Sequence, residues 1–301
     1  MRKGTLGTVQ RQEEWLGWLF VAPMALGILI FQVYPTLFSL YISMTQWNLA
    51  RAPRWIGFKN YTDLFTVDRY FIKSMTNTGA YAIGVVVPGI ALGIVFAMLL
   101  NQKIAGRFVY RAIYFVPVVA PTVALGMLWA WIYEPNFGIL NTVLKVVGIQ
   151  GPAWLGSTQW AMRAMIIFAL WQGLGYNIVI FLAGLQSISA EYYEAASIDG
   201  ANAVERFFHI TLPLLSPVTF FMLVTGVIGA FQEFATPYIL TRGGPANSTL
   251  MAVMYLYTKA FREQHMGLAS AIAYVLFVVI LFLTFVNFRL GKKWVFYEEA
   301  V

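Results

Sequence analysis

The sequence predicts an all-α integral membrane protein with six transmembrane helices, and two observations lead to this fold class. Of the 301 residues, 59% are hydrophobic and only 11% are charged, whereas a soluble protein has about 25% charged residues. The apolar residues also gather in long uncharged runs, and a helix needs about 20 such residues to cross the hydrocarbon core of a bilayer. Six runs meet this requirement, at residues 15–42, 75–100, 109–133, 161–186, 214–234 and 267–288.

The first run is predicted to be a retained transmembrane helix, although basic residues precede it as they precede a signal peptide. No charged residue occurs from Trp15 to Ala50, and this stretch is far longer than the roughly 7–15 apolar residues of a cleaved signal. We therefore expect an N-terminal segment at 1–14, a membrane domain at 15–290 and a tail at 291–301.

Prolines recur inside the runs, among them Pro23, Pro88, Pro117 and Pro121. Each proline lacks a backbone N–H and tends to bend a helix, and bent helices in a bundle can enclose a cavity. Membrane helices also tolerate proline without any functional reason, so both interpretations stay open for each position.

An even number of helices places both termini on one side of the membrane. That side carries ten basic residues in short segments, whereas the ten on the other side are spread over longer loops. Because basic residues favour the cytoplasmic side, their density predicts cytoplasmic termini, while their number alone decides nothing.

Several functional classes are excluded or disfavoured by the residues that are absent from the sequence. The chain has no cysteine, which excludes disulfides, thiolate nucleophiles and cysteine metal sites. No phosphate-binding G-x-x-x-x-G-K-[ST] loop occurs, so any ATP would bind to another chain. The net charge of +7 is dispersed among loops, which argues against a nucleic-acid partner. The two histidines, His209 and His265, lie on opposite sides in the predicted topology, and no acid–base pair points to an enzyme.

The fourth connection, residues 187–213, is polar and is predicted to form two short helices. Ser189 can cap the first helix, with Glu191 near the positive end of its dipole. Gly200 can adopt a positive φ and end that helix. Asn202 and Glu205 have the spacing of a capping box that begins a second helix. A helix–turn–helix at the membrane surface is therefore expected.

The same segment resembles the EAA loop of binding-protein-dependent ABC importer permeases. Glu194-Ala195-Ala196 is followed after three residues by Gly200, and after nine more by Ile210-x-Leu212-Pro213. The resemblance implies a type I ABC importer permease fold, in which this loop is a cytoplasmic coupling helix that docks on an ATPase subunit. The coupling residues are then expected to be Glu194, Ala195, Ala196, Asp199, Gly200, Ile210, Leu212 and Pro213.

Further segments resemble, in order, the maltose-type first permease of the carbohydrate branch of this family. They cover residues 22–48, 55–65, 111–121, 137–141, 183–188 and 240–249. The resemblance implies a second homologous permease subunit, two ATPase subunits that bind ATP and Mg, and an extracytoplasmic solute-binding protein that meets the loops near 55–65 and 241–249. It also implies that this chain binds no cofactor and lies in the cytoplasmic membrane of a bacterium or archaeon.

A sugar that crosses the membrane exchanges hydrogen bonds with water for hydrogen bonds with protein, so its path is expected to combine aromatic faces with amides and hydroxyls. Gln172 and Tyr176 are four residues apart and share one face of the fourth predicted helix. The candidates for the path are Trp129, Trp171, Gln172, Tyr176, Asn177, Gln232 and Glu233. The alternative is that the aromatic residues lie in the interfacial belt and that the amides bond to neighbouring helices.

Three alternative functions remain to be separated from sugar import. A permease of the same superfamily for a non-sugar solute is compatible with the EAA segment. A gradient-driven secondary transporter usually places ionisable groups at the membrane midplane, and these runs have almost none. An intramembrane enzyme would need a catalytic cluster, and none is evident in the sequence.

Overall fold

The computed structural model describes residues 6–102 and 106–296, and most of this part of the chain is helical. Residues 1–5 of the predicted N-terminal segment and 297–301 of the predicted tail lie outside the described residues. In chain order the α-helices are α1 (Leu6–Ile28), α2 (Tyr34–Ser43), α3 (Lys59–Thr66), α4 (Arg69–Asn101), α5 (Arg107–Val119), α6 (Thr122–Ile132), α7 (Ile139–Val146), α8 (Ala161–Ser187), α9 (Ala190–Ile198), α10 (Ala203–Arg206), α11 (Leu212–Leu214), α12 (Ser216–Phe231), α13 (Ala235–Leu240), α14 (Ala252–Tyr257) and α15 (Met266–Trp294).

Short elements complete this order. Three single-turn π-helices, at Leu29–Val33, Phe207–Thr211 and Thr258–Arg262, connect consecutive α-helices. The strands β1 (Thr45–Gln46) and β2 (Arg54–Trp55) pair antiparallel between α2 and α3.

The described residues confirm the six predicted spans if each bent pair of helices is counted as one span. Four helices are long and apolar enough to cross a membrane: Glu13–Ser43, Arg69–Asn101, Ala161–Ser187 and Met266–Trp294. The third predicted span is broken into Ala112–Val119 and Thr122–Ile132, at an angle of 109°, and the fifth is bent by 61° between Ala203–Leu214 and Ser216–Phe231.

Proline explains one break and leaves other helices intact. Ala120 and Pro121 have extended ψ values of 143° and 127° at the sharp bend. The ring of Pro121 disfavours the helical conformation at the residue before it, which is Ala120. In contrast, α1 and α4 continue through Pro23 and Pro88. Membrane helices therefore tolerate some of these prolines, while Pro121 marks a real change of direction.

The core of the bundle is the parallel pair α4 and α8, which approach each other closely through glycines. A Cβ atom at Gly93 would lie 2.9 Å from both Asn177 and Phe181, and one at Gly84 would lie 2.5 Å from Ile166. The side-chain amide of Asn177 donates to the carbonyl of Gly89 at 2.9 Å. Small residues at such a contact let helix backbones pack tightly where the hydrophobic effect supplies little driving force.

Hydrogen bonds to the start of α14 and to the loop before it hold the N-terminal part of α4. The side-chain amide of Asn77 donates to the carbonyls of Asn247 and Leu250, each at 3.0 Å. The Thr78 hydroxyl accepts from the backbone N–H of Ala252 at 2.9 Å. These bonds join residues about 170 positions apart, so they fix the relative position of α4 and the C-terminal part of the chain.

The first transmembrane helix differs from the others in its lack of packing. In the apolar window of Glu13–Ser43 none of the residues is buried, compared with 33% in the windows of α4 and α8. Its C-terminal part is attached to the bundle, since the Tyr274 hydroxyl of α15 donates to the carbonyl of Thr36 and Asn60 donates to the carbonyl of Ser43. The described chain therefore leaves the apolar faces of this helix uncovered.

The fourth connection and both described chain ends lie at the same end of the bundle. The backbone N–H of Phe296 donates to the Ser216 hydroxyl at 2.8 Å, so the last described residue reaches the start of α12. The helix Glu13–Ser43 ends at the opposite end, where Asn60 of α3 donates to the carbonyls of Ser43 and Thr45 at 2.8 and 2.9 Å. Its start therefore lies at the end that carries the fourth connection.

The contact between α4 and α8 gives a first prediction. Gly93→Leu forces the helices apart at a site without space, and overpacking of this kind costs about 1–3 kcal/mol. We expect a lower midpoint of thermal unfolding in the purified protein. The matched control is Gly79→Leu on the same helix, where an added Cβ meets nothing within 4 Å; equal midpoints for the two variants would contradict the packing argument.

Candidate functional site

The fourth connection folds as two short helices with the predicted caps. The Ser189 hydroxyl accepts from the backbone N–H of Glu191 at 3.3 Å at the start of α9. Gly200 ends this helix with φ +80°. Asn202 accepts from the backbone N–H of Glu205 at 3.0 Å, and the Glu205 carboxylate accepts from the N–H of Asn202 at 2.7 Å. The predicted capping box and helix–turn–helix are therefore confirmed.

Side-chain hydrogen bonds tie α9 to the helix that follows it. The hydroxyls of Tyr193 and Thr211 lie 3.0 Å apart, and the Arg206 guanidinium donates to the Ser197 hydroxyl at 3.0 Å. Because one bond lies at each side of the turn, the two short helices are held at a fixed angle. The fourth connection is thus a stiff element and not a slack loop.

The predicted coupling residues fall into an exposed set and a base set. On α9, which has no buried residue, and at its end, the side chains of Glu194, Ala195 and Asp199 and the backbone at Gly200 are exposed, while Ala196 is half-buried. At the base of the connection Ile210, Leu212 and Pro213 are half-buried. The first set forms a surface that another molecule can contact, and the second joins this surface to the bundle.

The base of the connection packs on the core. Leu212 and Phe207 pack against a cluster that contains Leu215, which is fully buried. The other buried members come from α4, α8 and α12 and are Ile94, Ala97, Phe181, Leu182, Leu185 and Met222. A displacement of the fourth connection is therefore transmitted to three helices at once.

A central cavity of about 440 Å³ opens among α4, α6, α8, α12 and α13. Its wall has many small residues, which leave room between the helices, including Gly89, Gly173, Gly226 and Gly229. The polar side chains that line it are Tyr81, Thr122, Gln172, Tyr176, Asn177, Glu233 and Thr236. The cavity thus combines aromatic and hydrogen-bonding groups in an apolar surround.

Hydrogen bonds hold several of these polar groups in place. The Gln172 amide donates to the Thr122 hydroxyl at 3.0 Å and so joins α8 to α6. The Glu233 carboxylate accepts from the backbone N–H of Thr236 at 2.8 Å. Tyr176 is 45% exposed, so its ring and hydroxyl remain accessible from the cavity.

The structure separates the seven path candidates into two groups. Gln172, Tyr176, Asn177 and Glu233 line the cavity. The other three lie elsewhere: the rings of Trp129 and Trp171 pack against each other, with centroids 5.1 Å apart, beside Phe168, and Gln232 is exposed beyond the end of α12.

Sequence reasoning missed Tyr81, Thr122 and Thr236, which also line the cavity. Tyr81 and Thr122 lie in apolar helices where hydropathy gives no direction, and the bend before Thr122 is needed to turn its side chain inward. The sequence feature that could have indicated the cavity is the pair of glycines Gly226 and Gly229, because they lie on one face of α12 and leave room beside it.

A second, polar cleft of about 760 Å³ lies at the opposite end of the bundle, between the β1–β2 hairpin and the starts of α4 and α15. Its basic residues are Arg51, Arg54, Lys59 and Lys259, and its acidic residues are Asp63 and Asp68. Of these four basic residues, only Lys259 is in an ion pair within the described part of the chain, with Glu263 at 2.7 Å. The cleft thus carries an excess of positive charge.

Asp68 is already committed to structural bonds in this cleft. Its carboxylate caps α4 by accepting from the N–H groups of Tyr70 and Phe71, each at 3.0 Å. It also accepts from the Tyr255 hydroxyl at 2.5 Å. Burial is the main cause that raises the pKa of the Tyr255 hydroxyl far above its ordinary value, and the hydrogen bond to Asp68 is the second cause. The hydroxyl therefore stays protonated. These bonds hold the Asp68 carboxylate in place at the start of α4.

Comparisons with known proteins agree with this architecture. A family model described as "Binding-protein-dependent transport system inner membrane component" matches residues 89–294. The arabinooligosaccharides transport system permease protein AraP of Bacillus subtilis (strain 168) is 33% identical over 306 residues, which cover 97% of this chain and 97% of AraP. The trehalose/maltose transport system permease protein MalF of Thermococcus litoralis is 32% identical over 283 residues, which cover 93% of this chain and 95% of MalF.

The fold also matches a crystal structure of a bacterial ABC transporter involved in the import of the acidic polysaccharide alginate. The TM-score is 0.82 at 22% sequence identity, and the match covers 94% of this chain and 96% of the other. This similarity confirms the predicted type I permease fold. The family consists of transport subunits and not of enzymes. Since its model covers more than half of the chain and the named relatives align along nearly all of it, the protein belongs to the binding-protein-dependent transport system inner membrane components, the permease subunits of ABC importers.

Proposed function

We propose that this chain forms, with a second permease subunit, the path for a sugar or oligosaccharide, and that ATPase subunits drive the path through the fourth connection. The observation that carries the proposal is the exposed helix α9, whose EAA pattern is held rigidly on the helices that line the cavity. Sugar as the solute class is supported by AraP and MalF, which are named for arabinooligosaccharides and for trehalose and maltose.

The coupling role is supported by the division of the fourth connection into a contact surface and a base. The small side chains of Ala195 and Ala196 allow another protein to approach α9 closely, and the carboxylate of Glu194 offers it a polar contact. The base leads directly into α12, which contributes Met222, Gly226 and Gly229 to the cavity wall. Closure of an ATPase dimer then moves this wall as a rigid body, while ATP and Mg stay on the partner subunits.

The central cavity suits an uncharged polar solute. Gln172 and Asn177 supply amides, Thr122 and Thr236 supply hydroxyls, and Tyr176 presents a ring on which a sugar face can stack. Such a mixture replaces the hydrogen bonds that a sugar gives up when it leaves water. In an isolated chain the cavity is open, so a second, homologous permease subunit is needed to close it.

The uncovered first transmembrane helix also supports a heterodimer. Its apolar window has no buried residue, and Trp15, Trp18 and Phe20 are each at least 70% exposed. Lipid covers part of such a surface, while the second permease subunit packs against the remainder.

The basic cleft at the other end of the bundle is the proposed docking site for the solute-binding protein. Arg51, Arg54 and Lys59 have no ion pair within the described chain, so acidic side chains of a partner complement them. If the binding protein docks there, the cleft lies outside the cell, and the fourth connection and both termini lie inside it. The membrane is then the cytoplasmic membrane of a bacterium or archaeon.

Import into proteoliposomes tests the proposal as a whole. The complete complex is reconstituted with its binding protein, and uptake of radiolabelled maltose, trehalose and arabinooligosaccharides is measured with and without ATP inside. Uptake that needs both ATP and the binding protein supports the proposal. Uptake that follows an ion gradient without ATP points to a secondary transporter, and ATP-dependent uptake of amino acids alone points to a non-sugar permease.

The coupling surface gives a second prediction. Ala195→Trp places a bulky ring on an exposed position of α9, so it leaves the fold intact but blocks close docking. We expect solute-stimulated ATP hydrolysis by the complex to fall about tenfold or more, as for loss of a central interface contact. Ala153→Trp, also at an exposed position but before α8, is the matched control, and equal activity of the two variants would count against docking at α9.

The cavity gives a third prediction. Gln172→Ala removes a polar group from the cavity wall, and the lost hydrogen bond, about 1 kcal/mol, corresponds to a roughly fivefold lower rate of sugar import. Tyr176→Ala is expected to act in the same direction through loss of stacking. Gln232→Ala, outside the cavity, serves as the control. Wild-type import kinetics in both cavity variants would remove these residues from the path.

The basic cleft gives a fourth prediction. Arg54→Glu reverses a charge that faces the proposed partner, so we expect the half-saturating concentration of binding protein for ATPase stimulation to rise about tenfold at low salt. Arg69→Glu changes an exposed basic residue outside the cleft and is the control. An unchanged half-saturating concentration would show that the binding protein docks elsewhere.

A further inference from the structure

The central cavity is electrostatically asymmetric. Of the described side chains that line it, Glu233 is acidic and none is basic; the remaining polar groups are amides, hydroxyls and phenols. A negative charge without a nearby cation is unusual in a membrane domain, where buried charges are normally paired. The side chains of this chain therefore give the cavity a negative electrostatic potential.

Glu233 has the environment of a charge that faces the cavity. It lies just after α12 and is only partly buried. One carboxylate oxygen, Oε1, accepts from the backbone N–H of Thr236 at 2.8 Å. Within the described part of the chain, Glu233 forms no ion pair. Its charge is therefore not cancelled by a neighbouring side chain.

Other carboxylates of the chain show the contrast. Glu263 pairs with Lys259 at 2.7 Å, and Glu205 closes the capping box of α10 at the exposed surface. Both face water, where ions screen their fields within about 10 Å. A carboxylate beside an apolar cavity is screened much less and acts more strongly on a charged solute.

We propose that Glu233 determines the charge class of the solute: the cavity accepts uncharged or cationic sugars and rejects acidic ones such as uronates and sulfonated sugars. This inference rests on the proposed function, because it assumes that the cavity is the solute path. A carboxylate accepts hydrogen bonds from sugar hydroxyls, but it repels a second carboxylate or a sulfonate. The fold alone does not decide the charge class, since the alginate importer of similar fold handles an acidic polysaccharide.

A structural role for Glu233, as the acceptor for the Thr236 N–H, has to be separated from the electrostatic one. Glu233→Gln removes the charge and keeps an amide oxygen that can accept the same hydrogen bond. Glu233→Asp keeps the charge and shortens the side chain. A purely structural role predicts that the aspartate variant is the more disturbed of the two, whereas the electrostatic role predicts that only the glutamine variant changes the potential.

The sequence offers a direct probe of this potential, because the chain has no cysteine. Gly173 and Gly229 line the cavity, and a Cβ added at either position meets nothing within 4 Å. Gly173→Cys and Gly229→Cys therefore place a single thiol in the cavity without displacing a neighbour. Gly229 lies four residues before Glu233, and Gly173 reports from α8.

The experiment measures how fast each thiol reacts with a cationic and an anionic reagent of similar size. The assembled importer is treated with the trimethylammonium-ethyl or the sulfonatoethyl methanethiosulfonate, and labelling of this chain is followed by mass spectrometry. Each ratio of cationic to anionic rate is divided by the ratio for a free thiol. We expect a normalised ratio of about fivefold or more, reduced at least threefold by Glu233→Gln and by high salt, and retained in Glu233→Asp.

The control is Glu263→Gln, which removes a carboxylate outside the cavity and should leave the ratio unchanged. A ratio that Glu233→Gln leaves unchanged at both reporter positions overturns the inference, even if the complex imports sugars. Loss of the ratio in Glu233→Gln, in a complex that imports no sugar, supports the negative potential and instead overturns the proposed solute class. The experiment therefore distinguishes failure of the inference about Glu233 from failure of the proposed function.

Discussion

The close contact between α4 and α8 is the constraint on which the rest of the structure depends. Glycines on α4 bring the two backbones together, and Asn177 adds a hydrogen bond to the carbonyl of Gly89. The same residue lines the cavity, so one side chain both joins the helices and contributes to the solute path. The packing of α4 and α8 therefore fixes the wall of the cavity on their side.

The fourth connection and the basic cleft lie at opposite ends of the protein, so a movement at one end has to be transmitted through the helices between them. α8 has 27 residues and is about 40 Å long at 1.5 Å per residue, and it separates the fourth connection from the basic cleft. Between these two ends, the base of the fourth connection packs on the cluster around Leu215. From there α12 continues along the wall of the cavity. A movement of the fourth connection is therefore transmitted to the middle of the membrane by a few stiff helices and does not depend on flexible loops.

Much of this fold follows from local features of the sequence, while the cavity does not. The uncharged runs located the spans, and the caps at Ser189 and Asn202 located the two short helices, because both signals depend on nearby residues. The sharp break at Pro121 was signalled only as one of several prolines, and nothing local distinguishes it from Pro88, which α4 absorbs. The inward direction of Tyr81 and the outward position of Gln232 depend on how helices pack, which a hydropathy pattern does not contain.

The bare first transmembrane helix has a consequence for biogenesis. Residues 13–41 of this helix bury no side chain against the rest of the chain, so they need little from later segments in order to enter the bilayer and can insert as soon as they leave the ribosome. The cost appears afterwards, because a copy made in excess of its companions keeps a long apolar surface facing lipid. Balanced synthesis of the subunits is then a requirement of the architecture itself.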